Sequence, residues 1–225
     1  MGLFSKPVRV YLRNLPKHVG IVAVPESLDD LDVLVKNIQR VIQTIIRLHI
    51  PIVSFYIMPK GRKVDTSRYA DYVAVLMQEL HNWSMTDTYQ VKVSVLGQWY
   101  DLPGRAVEPI KKVIEETQHY DRFFVNFCIN YSGQDEMVSA FKLIAKKLDM
   151  GKLQPDNISR ELVKEHLHTS YFIPPDLFVI VRPRPCLDGF LLWDSPKAFL
   201  YPVEKSWENF KTADLIKGVK AYQKR

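Results

Sequence analysis

The sequence predicts an α/β domain with a mostly parallel central sheet covered by helices on both faces. Two observations carry this: short β-branched runs alternate with longer amphipathic stretches along all 225 residues, and 47% apolar content is enough for a substantial core. No repeat, linker or low-complexity tract interrupts the pattern, so residues 1–225 are read as one domain.

His18 to Val24 reads as the first strand. After it, Leu28, Leu31, Val35, Ile38, Ile42, Ile45 and Leu48 fall on one helical face, with Ser27 as the expected N-cap and Asp29 and Asp30 favourable in the first turn. Ile52 to Met58 is a second strand, Asp65 or Thr66 caps a helix to about Leu80, and Val91 to Leu96 is a third strand. Leu102-Pro103 opens another helix, in which Pro109 predicts a late start or a kink. Phe123 to Ile129 is a buried strand, and a helix from about Asp135 to Met150 stops at Gly151. A short helix over Ser159 to His168 precedes a strand near Asp176 to Val181. Then come an apolar segment through Phe190-Leu191-Leu192-Trp193, a strand near Lys197 to Tyr201, and a last helix capped by Thr212. Open parallel sheets take ligands beyond the C-terminal ends of their strands, so those loops are where chemistry is expected.

Composition narrows the class. The formal charge is +6, but the 31 basic residues are dispersed among 25 acids, which describes a solvated basic surface better than a nucleic-acid footprint. Cys128 lies in an apolar run and Cys186 between Pro185 and Leu187, without metal-ligand spacing, which points to reduced thiols in a cytoplasmic setting. Histidines 18, 49, 81, 119, 166 and 168 form no ligand spacing either. The most apolar stretch, Val41 to Met58, is broken by Gln43, Arg47, His49 and Pro51, well short of the roughly 20 apolar residues of a spanning helix. Membrane contact is expected to be peripheral.

Four segments carry a resemblance to a known family. They are Pro16-Lys17-His18-Val19-Gly20-Ile21-Val22, then Phe55-Tyr56 with Val73-Ala74-Val75-Leu76-Met77. The third runs from Gly97 and Leu102-Pro103 through Asn126-Phe127-Cys128-Ile129-Asn130-Tyr131-Ser132-Gly133-Gln134-Asp135-Glu136 to Gly151-Lys152-Leu153. The fourth pairs Pro175-Asp176-Leu177 with Gly189-Phe190-Leu191-Leu192-Trp193. In order and spacing these resemble the cis-prenyltransferases, the undecaprenyl diphosphate synthase family, and imply that family's fold.

The resemblance also implies chemistry: ionisation of an allylic diphosphate, addition of isopentenyl diphosphate, and proton loss. That needs magnesium on the leaving diphosphate, guanidinium forks on phosphate and an apolar tunnel. The family's Asp-Gly-Asn-Gly-Arg-Trp loop is here Val24-Pro25-Glu26-Ser27-Leu28-Asp29, and its Phe-Ser-x-x-Asn-Trp aligns with Met58-Pro59-Lys60-Gly61-Arg62-Lys63. Ile180 and Cys186 stand at the two Arg positions, and Asp188 at the Ser position, of its Arg-Thr-Gly-Gly-Glu-x-Arg-x-Ser clamp. No catalytic residue and no metal ligand is therefore assigned to this chain. Lys60, Arg62, Arg182, Arg184 and Arg225 are the candidate diphosphate contacts.

Active enzymes of the family pair through the Asn-Tyr-Gly-Gly and Phe-Leu-Leu-Trp regions, whose counterparts are Asn130, Tyr131, Gly133, Phe190, Leu191, Trp193 and Tyr201. Pairing residues kept beside reaction residues lost resemble an accessory subunit of the Nogo-B receptor type or its archaeal counterparts. The expected partner is a catalytic homologue, in a heterodimer or heterotetramer, which carries the magnesium; none is expected on this chain. Accessory subunits of that type end in an Arg-x-Gly tail, and this sequence ends Ala221-Tyr222-Gln223-Lys224-Arg225, about where such a tail begins. The alternative is a diverged prenyltransferase active alone through relocated basic residues; nucleic-acid binding ranks below both.

Overall fold

The computed structural model describes residues 13–61 and 65–225. Six strands form one sheet: β1 (His18–Val22), β2 (Ile52–Pro59), β3 (Val91–Leu96), β4 (Phe123–Tyr131), β5 (Leu177–Val181) and β6 (Phe199–Val203). Their order is β3-β4-β2-β1-β5-β6 and every pair is parallel. The helices are α1 (Leu31–Arg47), α2 (Thr66–His81), α3 (Ser84–Thr88), α4 (Gly104–Thr117), α5 (Gly133–Asp149), α6 (Arg160–Glu165) and α7 (Thr212–Gln223). None of the described helices is long and apolar enough to cross a membrane.

Alternation along the strands sorts the interior into two layers. Val19, Ile21, Val53, Phe55, Val125, Phe127, Leu177 and Val179 join Leu34 and Ile38 of α1, Leu76 of α2, Ile110 of α4 and Leu215 of α7 in the larger core. Val22, Tyr56, Cys128, Phe178 and Ile180 form the smaller one, sealed by the loop residues Phe172, Phe190 and Leu191. In the larger core, Phe55 stacks on Phe127 at 5.4 Å between ring centres, and Tyr72, Val73, Leu76 and Met77 of α2 are completely buried.

Several expected boundaries shift, each for a local reason. Ser27 does not cap α1, because its hydroxyl closes a turn with Asp29; Asp30 accepts the Val33 N–H instead. Asp65 caps α2 as expected, accepting from Ser67 and Arg68 N–H. Pro103 sits one residue before α4, which runs on through Pro109 without the late start its ring predicted. β4 extends two residues past Ile129, and α5 begins at Gly133, two residues early, because Ser132 Oγ accepts the Asp135 N–H. Gly151, at φ +67°, ends that helix as read from sequence. α6 stops at Glu165 rather than His168, and β6 starts two residues later than expected. The cap of α7 is position 211, whose N–H donates to the Asp214 carboxylate, not Thr212.

Candidate functional site

From β1 the chain moves to β2 on one side, while β5 later fills the other, so the crevice after β1 is the switch point where such sheets bind ligands. A cleft of about 710 Å³ opens there. Glu26 follows β1, Pro59 ends β2 with Lys60 and Gly61 after it, Ser132 and Gln134 follow β4, and Arg182, Arg184, Cys186 and Asp188 follow β5.

Three of the basic residues singled out from sequence meet in this cleft. Lys60 Nζ lies 2.6 Å from Asp135 Oδ2, and Arg182 Nη1 lies 3.3 Å from Asp188 Oδ2 and 2.9 Å from Cys186 Sγ. Arg184 has no ion pair among the described residues. Arg62 lies outside the described residues. Arg225 is elsewhere: it ends the chain two residues beyond Gln223, whose amide donates to the Arg13 carbonyl ahead of β1, toward the edge where strands begin.

The loop after β1 is compact. Val24 and Pro25 are buried, and the N–H groups of Glu26 and Ser27 both donate to one oxygen of Glu208, at 3.0 and 3.1 Å. Sequence reasoning missed Glu208, which reaches the loop from a short 3-10 turn, Trp207–Asn209.

Five of the seven residues expected at a partner face form one packed unit. Asn130, at φ +48°, donates from Nδ2 to the Gln98 carbonyl at 2.9 Å. Tyr131 is buried, and its hydroxyl donates to Glu136 Oε2 at 2.6 Å. Burial pushes the Tyr131 phenol far up and, as the largest cause, raises Glu136, so the phenol keeps its proton. Gly133 sits where any Cβ would fall 2.2 Å from the Gly189 carbonyl and 2.8 Å from Leu192 Cβ. Phe190 stacks on Tyr56 at 5.1 Å and, like Leu191, is completely buried.

Trp193 is half-buried in a second, largely apolar cleft of about 780 Å³ with Lys164 and Pro174. Next to it Asp194 is buried, and Lys164 Nζ donates to both its oxygens at 2.7–2.8 Å and to Thr169 Oγ1 at 2.9 Å. Thr169 N–H in turn donates to Glu136 Oε1 at 3.2 Å. The chain from Tyr131 to Asp194 thus ties α5 to the 187–194 segment. Tyr201 stands apart on β6, packed over Gly218 of α7.

Three exposed apolar side chains on and beside α5 were overlooked by sequence reasoning. Val138 and Phe141 of α5 are about half exposed, at 49% and 48%, and Leu192, which touches Gly133 at the start of the same helix, is 36% exposed. Their signal was present as apolar residues at 138, 141, 145 and 148, a second stripe on a helix that needs only one to pack.

Comparison with known proteins bears directly on this arrangement. A family model described as "Putative undecaprenyl diphosphate synthase" matches residues 32–225. The chain belongs to this family. A tritrans,polycis-undecaprenyl-diphosphate synthase (geranylgeranyl-diphosphate specific) of Methanocaldococcus jannaschii is 36% identical over 139 residues, 61% of this chain but only half of that relative. An isoprenyl transferase of Shouchella clausii is 24% identical over 98% of the chain and 91% of its own length. One of these relatives is named as a synthase and the other as a transferase. Among solved structures, lavandulyl diphosphate synthase from Lavandula x intermedia superposes with a TM-score of 0.81 at 22% identity, covering 94% of this chain and 96% of that one. A probable undecaprenyl diphosphate synthase from Campylobacter jejuni gives 0.76, also at 22% identity, over 94% and 97%. At that identity the structures establish the fold, and the prenyl diphosphate synthase family is established by the sequence match.

Proposed function

We propose that this chain is a non-catalytic accessory subunit of a heteromeric cis-prenyltransferase that makes long-chain polyprenyl diphosphate, the precursor of a glycosyl-carrier lipid. It pairs with and activates a catalytic homologue. The observation that carries this reading is the state of the strand-end cleft: Lys60 and Arg182 are spent on Asp135 and Asp188, and buried Val24 and Pro25 offer the loop after β1 no ligand group.

The donor set does not fit a magnesium ion. Val24 has no oxygen on its side chain, Asp135 and Asp188 face cations, and among the described residues no three His, Cys, Asp or Glu side chains cluster as ligands. The chain-holding space fares similarly. Phe55, Phe127, Tyr72, Leu76 and Met77 fill the interior beneath α2 and α4, leaving a shallow hollow of about 310 Å³ between those helices at Met77, His81, Pro109 and Lys112.

The proposed partner face comprises Asn130, Tyr131, Gly133, Phe190, Leu191, Trp193 and Tyr201, and the exposed apolar side chains Val138, Phe141 and Leu192 give it surface to bury. Pairing through it brings the subunit to the membrane peripherally, through the partner's lipid product. Its own position is cytoplasmic. The second reading, an enzyme active alone, is favoured by Arg184, a cleft cation with no ion pair among the described residues.

One experiment separates the two. The chain is purified alone and with a homologue bearing the Asp-Gly-Asn-Gly-Arg-Trp loop, and isopentenyl diphosphate incorporation is measured. The subunit reading expects no turnover by the chain alone, a stable complex, and a mixture faster than the homologue by itself. Turnover by the chain alone, or no complex and no gain, overturns it. Phe141→Asp is expected to abolish the complex while leaving the melting temperature of the isolated chain unchanged.

A further inference from the structure

We propose that α5 carries a second docking face, on the flank away from Val138 and Phe141, and that this face takes the acidic headgroup surface of a lipid bilayer. The helix buries Gly133, Glu136, Ala140 and Ile144, a narrow stripe that leaves both flanks uncovered. Phe141 stands on one flank and Leu143 on the other. Two residues turn a helix through about 200°, so a flat partner surface that covers Phe141 leaves Leu143 in water.

The second flank is apolar and basic at once. Leu143, Lys146, Lys147 and Met150 recur at three- and four-residue spacing and form one continuous face. Leu143 and Met150 are about half exposed, at 51% and 53%. Lys152 closes the same end of the helix: its N–H donates to the Lys147 carbonyl at 2.9 Å, and the Gly151 N–H donates to the Leu148 carbonyl, which folds the chain back over the last turn. Lys142, Lys146, Lys147 and Lys152 are all exposed and have no ion pair among the described residues. Asp149 is the one acid between residues 142 and 152.

Cations near a helix C-terminus offset its dipole, which accounts for lysines in the last turn. It does not account for Leu143 and Met150 set among them. A protein partner matches the mixture poorly, because lysine is depleted from protein–protein interfaces. An acidic bilayer suits it: the lysines reach the headgroups, Leu143 and Met150 sink below them, and the charges act together. At 1.5 Å per residue, Met150 lies about 25 Å along the helix from Gly133, whose neighbours Ser132 and Gln134 line the strand-end cleft, so the face is separate from that cleft.

This goes beyond pairing and does not need it. The function proposed above brings the chain to a membrane through its partner's product, whereas the basic, apolar flank of α5 gives the isolated chain its own hold on lipid.

The test sediments the full chain, alone, with vesicles of equal parts phosphatidylcholine and phosphatidylserine, and with phosphatidylcholine alone. Binding to the acidic vesicles is expected, absent on phosphatidylcholine and weakened by added salt. At about fivefold in partition per lysine, Lys146→Gln combined with Lys147→Gln should weaken it about 25-fold. Leu143→Ser combined with Met150→Ser should weaken it at least about tenfold at an unchanged melting temperature. Val138→Ser with Phe141→Ser removes a similar apolar area from the other flank and should leave vesicle binding within about twofold of wild type. No binding by the wild-type chain, equal binding to both kinds of vesicle, or equal losses in the two serine pairs overturns the proposal. So does a Leu143→Ser, Met150→Ser chain that binds vesicles normally but no longer associates with the catalytic homologue, which assigns the flank to a protein. If that serine pair unfolds, the lysine pair decides, and unchanged vesicle binding in it overturns the proposal.

Discussion

Protonating His18 should cost this fold about 3 kcal/mol, and the geometry says why. The ring is completely buried. Its Nδ1 lies 2.6 Å from the Ile173 carbonyl, which can only accept, so Nδ1 carries the proton. Nε2 then accepts from the Ser54 hydroxyl at 2.8 Å, and Ser54 Oγ accepts from Asn126 Nδ2 at 3.0 Å. A second proton on the ring would break that chain and place a cation in the core. Burial accordingly lowers the His18 pKa from 6.5 to about 4, with the Lys164 charge assisting and the Ile173 bond opposing.

The sign follows from linkage: above pH 6.5 neither state is protonated at this site, and below it the unfolded chain gains a proton that the folded chain refuses. Stability is therefore lost as pH falls from 6.5 to about 4, and the 2.5-unit gap corresponds to about 3 kcal/mol. Burial raises Glu136 and works in the opposite direction, so the comparison must be between two proteins. Urea denaturation of wild type and His18→Gln between pH 7.5 and 4.5 supplies it. The variant should be less stable at pH 7.5, because the amide does not refill the space of the buried ring packed edge-on against Phe172, yet flatter with pH. Parallel curves would refute a neutral, refused histidine.

Three more substitutions probe the packed unit beside α5 and the core beneath α2. Gly133→Ala forces a Cβ into the Gly189 carbonyl and should destabilise by about 1–3 kcal/mol in urea, and weaken partner association further by separating α5 from Leu192. Asp194→Asn strands the Lys164 ammonium and should cost about 3 kcal/mol, with amide exchange accelerated at residues 187–194 and unchanged in β1 and β2. Tyr72→Phe removes a buried hydroxyl that has no partner among the described residues, and should raise stability by about 1 kcal/mol, read as a higher urea midpoint at unchanged slope.

Much of the fold was legible because its signals are local. β3 matches its expected span of Val91 to Leu96, whose alternating β-branched residues pack on one side, and Asp65 caps α2 through its own side chain. Boundaries slipped where two local partners competed, as when Asp29 took the Ser27 hydroxyl and left the cap of α1 to Asp30. The five-residue α3 was missed because so short a helix carries no periodicity. In the cleft, Lys60, Arg182 and Arg184 gather because each follows a parallel strand. What those cations touch was invisible, since Asp135 is 75 residues from Lys60 and only the sheet order makes them neighbours. Glu208 is the extreme case, meeting Glu26 across 182 residues.

The losses read from sequence and the contacts seen in the structure have one physical cause. A cleft shaped for a diphosphate holds donors and cations at a cost that the ligand normally offsets, and without a ligand they repel one another or lie unsatisfied. Arg182 shows the constraint most clearly: its side chain is only 11% exposed, so an unpaired guanidinium there would be expensive, and Asp188 supplies the missing charge from the position where the resembled family has serine. Asp135 does the same for Lys60, and Glu208 for the amides of Glu26 and Ser27. A chain that merely lost its catalytic residues would retain the unbalanced remainder. Internal counter-groups at three separate points balance Lys60, Arg182 and the loop amides without a ligand, leaving Arg184 as the cleft cation with no ion pair among the described residues, and this balance is what the proposed subunit role would need.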